Sequence, residues 1–364
     1  MPMVLLMAVV LLGRSYNGCT GYRESVGVAL ANTPFLNCWL WPLSLGNTSQ
    51  PLVRSFKRVS QIRIATRQSP LALWQARAVS DQLCAANPGL SCELVPMTTE
   101  GDRRLDQRLT EIGGKSVFIK ELERALLDGR ADIAVHSVKD VTAEMPAGMI
   151  LAAFTEREDP RDAFVSNSYE NLDGLPHGAV VGTGSSRRQC QLLAMRPDLE
   201  VKLVRGNVNT RLGKLDAGDY DALILAAAGL KRLEFHQRVK SYLEPEVMLP
   251  AVGQGVMGIE CAEDNQLAQE VALAIDDPTT RTCVLAERAV NQRLGGGCHM
   301  PIAAYAEVNE MGQLNLRALA GSLDGTRVLR VQVSGEAAKP TELGEQVGQQ
   351  LLDDGALDFL PTGS

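Results

Sequence analysis

Cys298 closes a run of three glycines in Leu294-Gly295-Gly296-Gly297-Cys298-His299-Met300-Pro301. Glycines let a backbone approach a ligand closely and adopt positive φ. A thiol at the end of such a loop is open to covalent chemistry, more so where cations favour its thiolate. A structural thiol in a packed loop has the same local sequence, and the loop alone leaves both readings standing. Asp140 is the second candidate, in His136-Ser137-Val138-Lys139-Asp140 directly after an apolar strand. A carboxylate there can take a proton from a reacting nitrogen or stabilise positive charge on it. An ordinary Lys139–Asp140 ion pair in a turn uses the same residues. The third is the turn Gly182-Thr183-Gly184-Ser185-Ser186-Arg187-Arg188. Hydroxyls, helix N-terminal N–H groups and two guanidinium forks make an anion site, although a plain turn also accounts for it. The glycine spacing and Lys-Ser/Thr pair of a phosphate loop are missing.

The bases around these motifs are unevenly placed. Arg67, Lys139, Arg187, Arg188, Arg205, Arg211 and Arg232 all fall at or just beyond the carboxyl ends of expected strands, or in the next helical turn. Ligands of open α/β sheets bind at that edge. Two such edges facing each other make an Arg-rich cleft for a ligand with several carboxylates or phosphates. Of 36 basic residues nine are Lys and 27 are Arg. Codon bias explains the count but not the placement.

The elements that carry these residues follow α/β grammar. Gln61–Thr66 reads as a strand, and Ser69-Pro70 opens a helix running to Cys84. Glu93–Thr98 and Ile133–Val135 are further strands, with an amphipathic helix over Lys120–Leu127 between them. The charged, Pro-containing stretch Glu156–Asp162 separates a second unit. There, strands at Ala179–Gly182, Val201–Val204 and Ala222–Ala226 alternate with helices at Arg188–Met195 and Thr210–Ala217. Val256–Glu260 is a strand placed to return to the first unit. From Pro278 the pattern becomes a long helix (Thr282–Arg293), three strands and a closing helix. The expected organisation is an extension over 1–58, domain 1 over 59–156 with a return segment over 256–274, domain 2 over 160–250, and a small α+β domain over 278–360.

Composition narrows the class. With 364 residues, 45% hydrophobic and 22% charged, the chain is globular and large enough for two or three domains. A net charge of −7 argues against nucleic acid as a partner. The eight cysteines and four histidines show no zinc-like spacing, so no metal is expected. Scattered reduced thiols fit a cytoplasmic protein better than disulfides. The apolar run Val4–Leu12 is too short to span a bilayer and lacks the flanks of a signal peptide, so no membrane partner is expected and the extension reads as a non-native or disordered start.

Eight strings, in order, are similar to one known family: RIATRQSPLALWQA (63–76), GGKSVFIKELE (113–123), DIAVHSVKDV (132–141), REDPRDAFVS (157–166), RRQCQL (187–192), RGNVNTRL (205–212), LPAVGQG (249–255) and GGGCHMPI (295–302). The chain resembles the porphobilinogen deaminases. The resemblance implies a transferase of tetrapyrrole biosynthesis that joins four porphobilinogen units with release of ammonia, giving hydroxymethylbilane. It implies a dipyrromethane cofactor in thioether linkage to Cys298 and Asp140 as catalytic group. It places cofactor contacts on Lys139, Thr183, Ser185, Arg187, Arg188 and Arg205, and substrate contacts on Arg67, Ser69, Arg205, Arg211, Arg232 and Gln254. It also implies two α/β domains of the type II periplasmic-binding-protein kind, a small α+β domain carrying the cysteine, and a cytoplasmic monomer. The sequence departs from the family at Gly184 and Ser186, where a hydroxyl and an apolar residue are usual, and at Gly295, where an acid is common. The competing reading is a two-lobed solute-binding protein for a polycarboxylate, which leaves the third domain and the Gly-Gly-Gly-Cys loop unexplained.

Overall fold

The computed structural model describes residues 61–99, 119–297 and 300–360. Cys298 and the extension over 1–58 lie outside the described residues. Strands β1 (Gln61–Arg67), β2 (Ser91–Met97), β3 (Ile133–Ser137), β4 (Met149–Phe154) and β10 (Met257–Ala262) form one sheet in the order β2-β1-β3-β10-β4. Strands β5 (Asp162–Val165), β6 (Val180–Thr183), β7 (Glu200–Leu203), β8 (Ala222–Ala226) and β9 (Val239–Leu243) form a second, ordered β7-β6-β8-β5-β9. Each sheet has three parallel strands, an antiparallel fourth and a fifth beyond it. The antiparallel strands arrive by crossing between the sheets: β5 follows β4 across 155–161, and β10 follows β9 across 244–256. Two lobes exchanging one strand each is the type II periplasmic-binding-protein arrangement, the fold class expected from the sequence.

Apolar patterning drives the layers. Helices α1 (Pro70–Ala86), α2 (Lys120–Leu127) and α6 (Gln266–Leu273) pack on the first sheet, and α3 (Ser186–Met195), α4 (Val208–Asp216) and α5 (Ala227–Arg232) on the second. Residues Ala222–Leu225 of β8 are buried whichever face they point to, because both faces of this sheet are covered. The third unit is an antiparallel sheet of β11 (Ile302–Val308), β12 (Gln313–Gly321) and β13 (Val328–Glu336), with α7 (Pro278–Arg293) and α8 (Pro340–Asp353) on one face. Leu314, Leu316, Ala318 and Ala320 meet those helices with the period of two that a one-sided sheet requires. The opposite face buries Ala303, Tyr305 and Leu319 against Leu249.

The structure differs from the sequence expectation in two instructive places. Helix α7 starts at Pro278, not Thr282, because Asp277 caps it, accepting from the Thr280 N–H at 2.7 Å. The stretch Glu156–Asp162 is not simply a solvated boundary. Its last residue begins β5, and Asp162 is fully buried.

Candidate active site

The carboxyl ends of β1, β3, β6, β7 and β8 converge on one cavity of about 670 Å³. Its lining includes seven cations, Arg67, Lys139, Arg187, Arg188, Arg205, Arg211 and Arg232, and one carboxylate, Asp140. Ser69, Ser185, Gln254, Gly297 and Met300 also line it. Among the described residues no group of three or more His, Cys, Asp or Glu side chains is arranged to hold a metal ion.

Local sequence explains how each group is held. Ser69 caps α1, its Oγ accepting from Ala72 N–H at 3.3 Å, so Arg67 and Ser69 sit at a strand-to-helix turn. Ser185 caps α3 in the same way, accepting from Arg188 N–H. Thr183 does not reach the cavity lining. It is buried, and its Oγ1 accepts from Ser185 N–H at 3.2 Å, which shapes the turn rather than a ligand contact. Arg211 donates from Nε to Gly206 O at 2.8 Å. Gly206 has φ +109°, and a Cβ there would lie 2.7 Å from Thr210 Cγ2, so the turn that presents Arg205 and Arg211 needs glycine. Asp140 ends a one-turn 3-10 helix begun by Val138, whose N–H donates to Val256 O across the crossover.

Arg187 and Arg188 are buried around Asp162. Arg188 Nη2 donates to Asp162 Oδ1 at 2.8 Å, and Arg187 Nη2 lies 2.8 Å from Oδ2. Their other η nitrogens donate to Leu249 O and Ile224 O. Gln254 lines the cavity, but its amide is committed: Nε2 donates to Pro160 O and Asp162 Oδ1, and Oε1 accepts from Arg187. Burial alone would raise the Asp162 carboxyl, yet Arg187, Arg188 and Gln254 hold it well below the ordinary carboxylate range. One carboxylate thus serves two guanidiniums, and the Nε–H of each is buried without an acceptor. Two guanidiniums balanced by one carboxylate leave an excess of positive charge beside the cavity, which fits a ligand bearing carboxylates.

Asp162, the partner of both guanidiniums, is a residue that sequence reasoning missed; its signal was an acid heading the apolar run Ala163-Phe164-Val165. Trp74, which the sequence also did not single out, packs on one of the cavity cations. Its ring lies 5.7 Å from the Arg232 guanidinium, whose Nη2 also donates to Gly255 O.

Two consequences are measurable. Asp162→Asn leaves both guanidiniums buried against a neutral amide and is expected to cost about 3–5 kcal/mol in urea denaturation. The folded-state pKa of Asp162 is depressed, so its stabilisation is complete above its unfolded value near 4 and declines as pH falls below it. Asp159, held at about 2 by Arg161 against the effect of burial, adds to the same acid slope. The variant should therefore show a shallower loss of stability below about pH 4.

Lys139 supplies the second. Burial, helped by Arg188 and Arg187 and opposed by Asp140, lowers its ammonium to about 8. Activity that uses this cation should fall as pH rises through that value. We expect kcat/KM to drop roughly tenfold between about pH 7 and 9, with Lys139→Arg flattening the decline. Equal pH profiles for the two proteins would refute a charged role for Lys139. Burial also lowers Arg211, to about 10, with Arg188 acting in the same direction.

Residues 62–270 match the model of the porphobilinogen deaminase, dipyromethane cofactor binding domain, and residues 281–353 match that of the porphobilinogen deaminase, C-terminal domain. The chain belongs to the porphobilinogen deaminase family. It is a transferase of tetrapyrrole biosynthesis that acts on porphobilinogen with a dipyrromethane cofactor, and the solute-binding alternative gives way to the family match. Similar solved structures cover about three fifths of the chain. The periplasmic VFT2 domain of Bordetella pertussis BvgS is 17% identical, with a TM-score of 0.35 over 60% of this chain and 86% of that one. The methionine binding protein MetQ is 14% identical, with a TM-score of 0.38 over 59% and 89%. A Salmonella typhimurium periplasmic binding protein with high arginine specificity is 13% identical, with a TM-score of 0.36 over 60% and 92%. No helix among the described residues is long and apolar enough to cross a membrane.

Proposed function

We propose that the chain is a hydroxymethylbilane synthase, a cytoplasmic monomer that joins four porphobilinogen molecules head to tail and releases one ammonia for each. The observation that carries this is a cleft with seven cations around one carboxylate, next to the glycine loop that leads to Cys298. Porphobilinogen carries an acetate and a propionate, and each added unit brings two more negative charges. When bound through Cys298, the dipyrromethane supplies the terminal pyrrole carbon to which the first unit is joined. The chain's own groups do the rest. Arg187 and Arg188, with Ser185 and Lys139, would hold cofactor carboxylates, their net charge already reduced by Asp162. Arg67, Ser69, Arg211 and Arg232 would hold those of the incoming unit, and Arg205 lies between the two sets. Guanidinium forks fix a carboxylate in two bonds, which sets the pyrrole ring's orientation as well as its affinity. Asp140, the one acid in the lining among the described residues, would face the reacting nitrogens.

Intact-mass measurement tests this directly. The purified protein should carry a dipyrrole adduct and, on titration with porphobilinogen, gain mass in steps of one deaminated unit. Charge-assisted bonds of this kind contribute roughly 1.5–3 kcal/mol each, so Arg205→Leu or Arg211→Leu should stall the ladder early. Chelators should leave the ladder unchanged. An unmodified mass with no steps would overturn the proposal.

A further inference from the structure

Helix α7 leads directly into the cofactor loop, and it also grips the segment that follows Asp140. Arg288 Nη2 donates to Thr142 O and Ala143 O, both at 3.0 Å. One helical turn later, Gln292 Nε2 donates to the same Ala143 O at 2.8 Å. Both lone pairs of that carbonyl are therefore used by one helix. Arg288 is buried, and burial lowers its guanidinium to about 10, with Glu260 offsetting this in part. A buried guanidinium spent on backbone carbonyls is a costly way to hold two pieces together if holding were all it did, since apolar side chains do that without desolvating a charge.

The neighbouring groups make the link rigid on both sides. Val141 N–H donates to Val138 O, closing a turn that contains Lys139 and Asp140, and the buried Val141 and Ala143 continue directly from it. On α7, the adjacent Glu287 accepts from Arg157 at 2.7 Å, Gly253 N–H at 2.7 Å and Ala306 N–H at 2.9 Å, which fixes the helix against both crossovers and β11. Beyond Gln292 the helix ends at Arg293. Gly295 turns with φ +62°, and Gly296 lies so close to the Asn291 side chain that a Cβ would sit 2.0 Å from its Oδ1. Gly297 then lines the cavity.

We infer that Arg288 and Gln292 are positioning residues that set the distance between the Asp140 carboxylate and the loop bearing the cofactor. The inference rests on Asp140 being catalytic. Glu287 and the packing of Val284 against Val138 and Phe154 keep α7 on the first lobe, so loss of the clamp loosens the segment that follows Asp140, and a misplacement of about 1 Å can cost up to roughly 100-fold in rate. Substrate carboxylates are held by other residues, so binding should be spared.

The test compares Arg288→Met, Arg288→Lys and Gln292→Leu in the cofactor-loaded enzyme. Intact mass should show the adduct retained in all three. Arg288→Met is expected to lower kcat about 20-fold with KM changed less than about threefold. Arg288→Lys, which keeps a donor and the charge, should recover part of the loss, and Gln292→Leu should lose about fivefold. Hydrogen exchange of the amides of Val141 and Ala143 should quicken in step with the loss of kcat. If Arg288→Met does not fold, Gln292→Leu carries the same test. Wild-type kcat with the adduct in place, or a loss confined to KM, would overturn the inference. Asp140→Asn, run alongside, separates the two levels: if it is active the catalytic assignment fails, and if it is inactive while the clamp variants are not, only the clamp fails.

Discussion

Cys298→Ala is expected to accumulate as unmodified protein that neither carries a dipyrrole nor consumes porphobilinogen. A thioether needs a sulfur nucleophile at the loop, and the other described cysteines are poorly suited to replace it. Cys190, Cys261 and Cys283 are buried, and burial pushes their thiols up to about 11. Cys92 is likewise raised to about 11, by burial and by the adjacent Cys84. Those two face each other at 3.8 Å between the end of α1 and the start of β2, and neither lines the cavity. Thiols so raised hold little thiolate near neutral pH. The variant should also melt below the wild type, because in the folded state the excess charge on Arg187 and Arg188 loses the carboxylates that compensate it. Intact mass and a thermal melt check both points. A dipyrrole adduct in Cys298→Ala would sink the assignment.

The largest expected effect on an otherwise intact enzyme belongs to Asp140→Asn. Release of ammonia from porphobilinogen requires a protonated amine and leaves an electrophilic methylene conjugated with the pyrrole N–H. Joining the next ring then places positive charge on a pyrrole until a proton departs. A carboxylate near both nitrogens stabilises the charge at each stage and can assist proton movement. Lys139 beside it cannot, since its own charge has the wrong sign. Asp140 is exposed, and among the described residues the cavity lining holds no second acid to replace it. Asparagine keeps the shape and most of the hydrogen bonding while removing the charge, which isolates electrostatics from packing. Turnover should fall by roughly 100- to 1000-fold, with folding and cofactor mass unchanged. Single-turnover measurement of ammonia release on the loaded variant is the decisive assay; a near wild-type rate there would exclude Asp140 as the charge-stabilising group even though the family is established.

Much of the site was legible from residue types and order alone. Glycine runs, cap residues and apolar periods are local signals. They placed Asp140 after a buried strand and Arg187 and Arg188 at a helix start, because short-range sterics and hydrogen bonding dictate those elements. The carboxyl-edge placement of the cations followed from the same periodicity. Ser69-Pro70 marked the start of α1 correctly, while the end of that helix ran two residues past Cys84 to Ala86. What the linear chain did not disclose was how charge is balanced through space. Asp162 reads as the end of a charged, Pro-containing stretch, and only the fold lays β5 beside β8 and brings Arg187, Arg188 and Gln254 around it from 25 to 92 residues away. Thr183, a cofactor contact by the resemblance, is buried here and accepts from Ser185 N–H within its own turn. Trp74 and the Arg288–Gln292 clamp likewise depend on lobes and a third domain meeting across long sequence separations. Local pattern decides which elements form and which residues head toward the cleft. Desolvation and pairing of charge, which exist only once the chain has closed on itself, decide which of those residues remain available to a ligand.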